Sequence, residues 1–270
     1  MQTPSTAERA RQSSFVKGVV TMFVLGLPGV VVVGVSLLGS LRSLPQFAGA
    51  STPALFLLIV TQPLLLLALS CLVGTALAPR TRLNSHVLYR IVGRTQPPVL
   101  FGEELPAAIG VGVGVAVIAI ALDGLFTVLV PGLSPLVVRP MGDPTVFSVL
   151  ETVSNRFLYG GITEELFLRY GFMTLVVWGC WKLAGGKRPS SRVMWTAIGI
   201  SALVFGLGHL LAMVAFSSVA PALLVQIVLT NAVIGVGLGW LYWGESLESA
   251  MVGHISFGVV VMVVSLLLSL

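Results

Sequence analysis

Between Lys17 and Leu268 the sequence is a succession of continuous apolar runs, most of them long enough to cross a bilayer, separated by short polar or basic stretches. A helix needs roughly 20 apolar residues to span hydrocarbon about 30 Å thick. Lipid offers no partners for backbone N–H and C=O groups, so such runs must form helices or the strands of a closed barrel. Barrel strands alternate polar and apolar residues, and these runs do not. The chain is 56% apolar and only 9% charged, with a mean hydropathy of +1.01. The expectation is therefore an all-α polytopic membrane protein, a bundle of about seven to eight transmembrane helices.

Residues 1–16 are polar and read as a cytoplasmic tail. Residues 17–145 hold the N-terminal spans, at about Lys17–Leu41, Pro53–Ala78 and Pro106–Val130. Ala48-Gly49-Ala50 resembles a signal-cleavage site, but the run before it is too long for a signal peptide and the site lies too far beyond its end. In the region 146–270 the stretch Val146–Tyr159 is only half apolar, and Gly160-Gly161 reads as a helix break or kink, with Thr163 as the cap of a helix starting at Glu164. An apolar run follows to about Trp181, then spans at about Val193–Phe216, Pro221–Trp243 and Leu247–Leu268. Asn231, Gly235 and Gly239 recur at four-residue spacing, a pattern that lets helices approach closely.

Basic residues set the orientation. With seven spans and the N-terminus inside, eleven cations fall inside, in the tail and in the loops 79–105 and 182–192, against Arg42, Arg139 and Arg156 outside. That is the asymmetry of the positive-inside rule, and it holds only if 146–159 is interfacial, re-entrant or the overhang of one long helix. The net charge of +5 is thus a topology signal, with no nucleic-acid partner implied. Cys71 and Cys180 lie in or at the end of apolar runs and read as packing residues. Twelve Arg to three Lys, with much Gly, Ala and Val, fits a GC-rich bacterial genome, so the expected location is a bacterial cytoplasmic membrane.

The chemistry concentrates in Glu164-Glu165-Leu166-Phe167-Leu168-Arg169. Charge within hydrocarbon is costly and marks function by default. On a helix Glu165 and Arg169 stand at i, i+4, acid before base, the favourable order for an ion pair. Glu164 points about 100° away and is left without that partner. One glutamate is held and the other is free to react. Two of the three histidines, His209 and His254, fall inside separate spans, each flanked by glycine. Together they suggest a polar intramembrane cavity in which one carboxylate and two imidazoles converge. The reckoning of depth is uneven: at 1.5 Å per residue Glu164 and His209 lie roughly 27 and 24 Å from the inner ends of their helices, but His254 only roughly 10 Å. Other ionisable groups read more plainly. Glu103 and Glu104 are helix-start acids, His86 is a solvated loop histidine, and Asp123 is either a functional buried acid or merely interfacial.

At these residues the sequence resembles the CAAX protease and bacteriocin-processing (Abi, CPBP) family of intramembrane glutamic endopeptidases. The family pattern Glu-Glu-x-x-x-Arg is matched by Glu164, Glu165 and Arg169; Phe-x-x-x-His by Phe205 and His209; and His-x-x-x-Asn/Asp only by His254, since Gly258 stands at its last position. The resemblance implies that Glu164 is the general base for a water held with His209, that His254 stabilises the oxyanion, and that Glu165 braces the helix through Arg169. It implies a catalytic region over 146–270, no cofactor, and a peptide or protein-tail substrate, lipidated or leader-bearing, met in the bilayer. Gly258 removes one expected donor, and Asn231 is a candidate substitute.

Three rival readings follow from the same residues. Glu with two His is a zinc ligand set, although no His-Glu-x-x-His helix is present. Asp123, Glu164 and the histidines could form the relay of a proton- or ion-coupled transporter, although no internal repeat supports it. A non-catalytic membrane scaffold is the third.

Overall fold

The computed structural model describes residues 6–47, 49–92, 99–139, 145–214 and 221–269. Arg94, one of the cations counted above, and Ala48, of the candidate cleavage site, lie outside the described residues. The described chain is helical throughout. We number the helices α1 (Thr6–Arg42), α2 (Thr52–Thr81), α3 (His86–Val92), α4 (Phe101–Leu129), α5 (146–184), α6 (Ser191–Val214), α7 (Pro221–Gly244) and α8 (Leu247–Leu267). Helices α1, α2, α4, α6, α7 and α8 are each long and apolar enough to cross a membrane. Their outward faces carry bare apolar side chains such as Leu65, Leu69, Val117 and Leu125, the surface that lipid requires. This is an integral, multi-pass membrane protein.

Helix α1 begins at Thr6 and so takes in most of the stretch that its polarity had placed in a tail. Ala, Glu, Arg and Gln are strong helix formers, and the helix runs on beyond its apolar part. The larger departure is α5. No break occurs at Gly160-Gly161, and Thr163 caps nothing. The chain stays helical from Val146, where Thr145 and Ser148 form a reciprocal N-terminal box, to Ala184. Residues 146–159 are the N-terminal part of one long helix. Within it Asn155–Glu164 and Leu166–Met173 are π-wound, with hydrogen bonds one residue wider than in an α-helix. The hydroxyls of Thr163 and Thr174 add bonds across this wider turn, to Leu158 O (3.1 Å) and Arg169 O (3.1 Å). Thr163 also reaches Gly26 O on α1 at 2.7 Å.

Glycines at these positions serve contact instead of termination. A Cβ on Gly161 would lie 2.4 Å from Ile255 Cγ1, and one on Gly160 would lie 3.4 Å from His254 Nε2. Bare backbone here lets α5 reach α8. Gly112 and Gly253 do the same for α4 and α8, and Gly235 brings α7 onto Ala202 of α6. Beside His209, Gly206 is the contact glycine: its added Cβ would sit 2.6 Å from the Val228 carbonyl oxygen, whereas Gly208 faces open space. Gly206→Ala should therefore force α6 from α7 and cost about 1–3 kcal/mol. Gly208→Ala should be neutral or stabilise slightly through helix propensity. Thermal denaturation of the two variants in detergent checks the contrast.

Three acids outside the central site prove to be structural. Glu104 is buried and accepts hydrogen bonds from Ser246, from Ser249 Oγ (2.5 Å) and from His86 Nε2 (2.7 Å). It does lie in the first turn of α4, but the α7–α8 turn folds over it. His86 is accordingly no solvated loop residue. Glu248 caps α3, accepting from the His86 and Val87 amides and from Ser85 Oγ. Asp123 is buried near the C-terminal end of α4. It accepts from the amides of Leu136 and Val137 (2.9–3.1 Å) and from Gln226 Nε2 (2.6 Å), pinning the segment after α4 across the bundle. An acid so occupied is neither a bare interfacial group nor a free relay site.

Candidate active site

The π-wound middle of α5 carries two adjacent glutamates on different faces. Glu165 is fully buried, and its Oε1 lies 3.2 Å from Arg169 Nη1 one turn on, as the i, i+4 spacing required. The same oxygen accepts from His254 Nδ1 at 2.8 Å. This second bond joins residues 89 positions apart and is absent from any local pattern. Arg169 is itself enclosed: Nη2 donates to Gly235 O at 3.2 Å, and its guanidinium lies 5.0 Å from the centre of the Phe205 ring. Phe205 in turn stands edge-on to His209 (4.6 Å between centres) and to His254 (6.1 Å). The three sequence motifs thus meet around one phenyl ring.

The depth mismatch for His254 has a structural cause. Ser246 and Leu247 are buried beneath the 83–92 segment, so α8 begins inside the bundle and not at its end. The π-winding of α5 also makes it advance less per residue than an α-helix, so its glutamates lie less deep than the straight count gave.

Both imidazoles have one nitrogen committed. His209 Nδ1 donates to Phe205 O at 3.0 Å, and His254 Nδ1 donates to Glu165. A ring fixed through one nitrogen holds its tautomer and its aim. His254 Nε2 is turned toward Gly160 at the cavity wall.

Glu164, His209, His254, Phe205 and Gly258 all line one cavity of about 340 Å³, together with Asn155, Arg156, Tyr159, Thr230 and Asn231. Glu164 forms no hydrogen bond or ion pair with the described residues, in contrast to its neighbour Glu165. Asn231 spends one amide hydrogen on Ile227 O at 2.8 Å and keeps its other polar atoms for the cavity. Thr230 Oγ1 is buried without a hydrogen-bond partner among the described residues. At Gly258 an added Cβ would lie 3.4 Å from Arg156 Cβ. The stem of Arg156, from α5, occupies the space beside this glycine. No local signal in the sequence marks Arg156, because its neighbour lies on α8. Among the described residues no three His, Cys, Asp or Glu side chains are grouped to share a metal ion.

Chemically, the cavity offers one unpartnered carboxylate, two oriented imidazoles and a set of neutral and cationic donors. That combination suits proton abstraction from water beside a polarised carbonyl.

Comparison with protein families agrees with the motifs. Residues 147–260 match the family model described as type II CAAX prenyl endopeptidase Rce1-like. The match spans α5 through most of α8 and takes in all six matched motif residues. It supports a membrane protease. Searches of curated proteins and of solved structures gave no match.

Proposed function

We propose that this protein is an intramembrane glutamic endopeptidase. Its substrate is a peptide or the end of a membrane-associated protein, and Glu164 is its general base. The observation that carries this reading is the contrast between the two glutamates: Glu165 is locked between Arg169 and His254, while Glu164 faces the cavity with no partner among the described residues.

In this mechanism a water sits between Glu164 and His209. Glu164 takes a proton from it as its oxygen bonds to the scissile carbonyl carbon. The carbonyl electron pair moves onto oxygen, and the oxyanion is met by His254 Nε2–H. A protonated His254 donates from both ring nitrogens, one to the oxyanion and one to Glu165, whose charge offsets the imidazolium. The tetrahedral intermediate then expels the amine, which takes the proton from Glu164. Donors aimed at a developing oxyanion lower a barrier by about 2.7–4 kcal/mol each. Asn231 or Arg156 supplies the donor that Gly258 lacks. No cofactor is needed. Prenylated tails are one substrate class within the matched family's name; leader-peptide processing or bacteriocin self-immunity is the corresponding bacterial setting.

The test is cleavage of a quenched peptide library by purified protein in detergent, with and without a strong chelator. Cleavage insensitive to chelator is the expected result. Loss with chelator would move the chemistry to a metalloenzyme. An absence of cleavage, with folding intact, would favour the scaffold reading.

A further inference from the structure

The cavity does not sit midway through the bundle. Glu164 and Arg156 lie in the N-terminal half of α5, His209 near the C-terminal end of α6, and Thr230 and Asn231 in the first half of α7. Most of these lie toward one end, the end where α4 finishes and α5 begins; Glu164 stands near the middle of α5, and His254 lies in the first half of α8, which begins at the other end. The basic loops 79–105 and 182–192 lie at the other. A second cavity of about 300 Å³ continues from the first toward the same end. The two share Leu136, Val137 and Arg156 in their walls, and the second adds Arg139, Glu151 and Thr152. Its wall at Leu136 and Val137 is the segment that Asp123 holds in place.

We propose that this second cavity is the substrate's vestibule and that it opens to the non-cytoplasmic face. The positive-inside rule puts the basic loops in the cytoplasm, so the catalytic cavity and its vestibule lie in the outer half of the membrane. Two guanidiniums and a carboxylate along the passage suit a hydrated polypeptide, since charge facing hydrocarbon is strongly disfavoured. The ligand class is an extended peptide segment presented outside the membrane, from a secreted or translocated protein, and not a cytoplasmic tail. This rests on the peptidase reading for the reaction, but the access path stands on placement alone.

Thiol labelling in sealed vesicles tests it. Thr152→Cys and Met262→Cys place a reporter in the vestibule on two different helices, so the test survives if one variant fails to fold. Leu183→Cys, 90% exposed at the inner end of α5, reports the other side. The background carries Cys180→Ser, and the parent with its buried Cys71 gives the blank. A membrane-impermeant maleimide should label the vestibule reporters in right-side-out vesicles only, and Leu183→Cys in inverted vesicles only. Vestibule reporters labelled from the same side as Leu183→Cys, or protected from both sides, would overturn the proposal. The quenched peptide library added to the same vesicles separates the two claims. Outside labelling without cleavage from either side would leave the path standing and sink the peptidase.

Discussion

Glu164→Gln should reduce peptide cleavage by on the order of 10²–10⁴-fold, the span that a positioned general base contributes. The substitution is nearly isosteric, and Glu164 has no partner among the described residues to lose. Thermal stability in detergent should therefore stay at the wild-type value. The pairing of those two results is what gives the experiment force. A loss of activity with an equal loss of stability would mean that Glu164 holds the bundle together, as Glu165 does, and that its freedom in the cavity is only apparent. Glu165→Gln gives the mirror image: it removes the anion that orients His254 and neutralises Arg169, so stability and activity should fall together.

Arg169→Met should be the most destabilising single change in the site. Arg169 is 1% exposed and Glu165 fully buried. Removing one member of a buried ion pair leaves the other without compensation, at a cost of about 3–5 kcal/mol. Replacing both with uncharged residues often costs far less, because no stranded charge remains. The double variant Glu165→Gln/Arg169→Met should accordingly melt closer to wild type than Arg169→Met alone, read as a positive coupling in thermal denaturation. Additive losses would show that Arg169 matters through its contacts to Gly235 and Phe205 and not through Glu165.

The fold class and most span positions were legible from the apolar runs, because lipid exposure forces continuity that no soluble pattern imitates. The i, i+4 pair of Glu165 with Arg169 was legible for the same local reason. What could not be read depended on partners distant in sequence. Gly160-Gly161 looked like a break because glycine weakens an isolated helix. In the bundle, His254 and Ile255 press against those positions and the helix continues. The π-winding of α5 has no signature in hydrophobic period. His86 and Glu104 read as separate surface groups until the α7–α8 turn covers them. Asp123 allowed two readings, and its amide partners in the 136–137 segment replace both with a structural role. At Gly258 the motif lacks one expected donor. Beside it the structure brings Arg156, from a helix about a hundred residues earlier, a neighbour that no local motif could contain.

The claim that Glu164 and His209 hold the same water is tested most directly by a double-mutant cycle on cleavage of one quenched peptide, using Glu164→Gln, His209→Ala and the two combined. Residues that act as a unit are strongly non-additive in their effects on rate. The account predicts a double variant about as slow as the slower single one. Losses that multiply would contradict it, placing the two side chains at separate steps or on separate molecules of water.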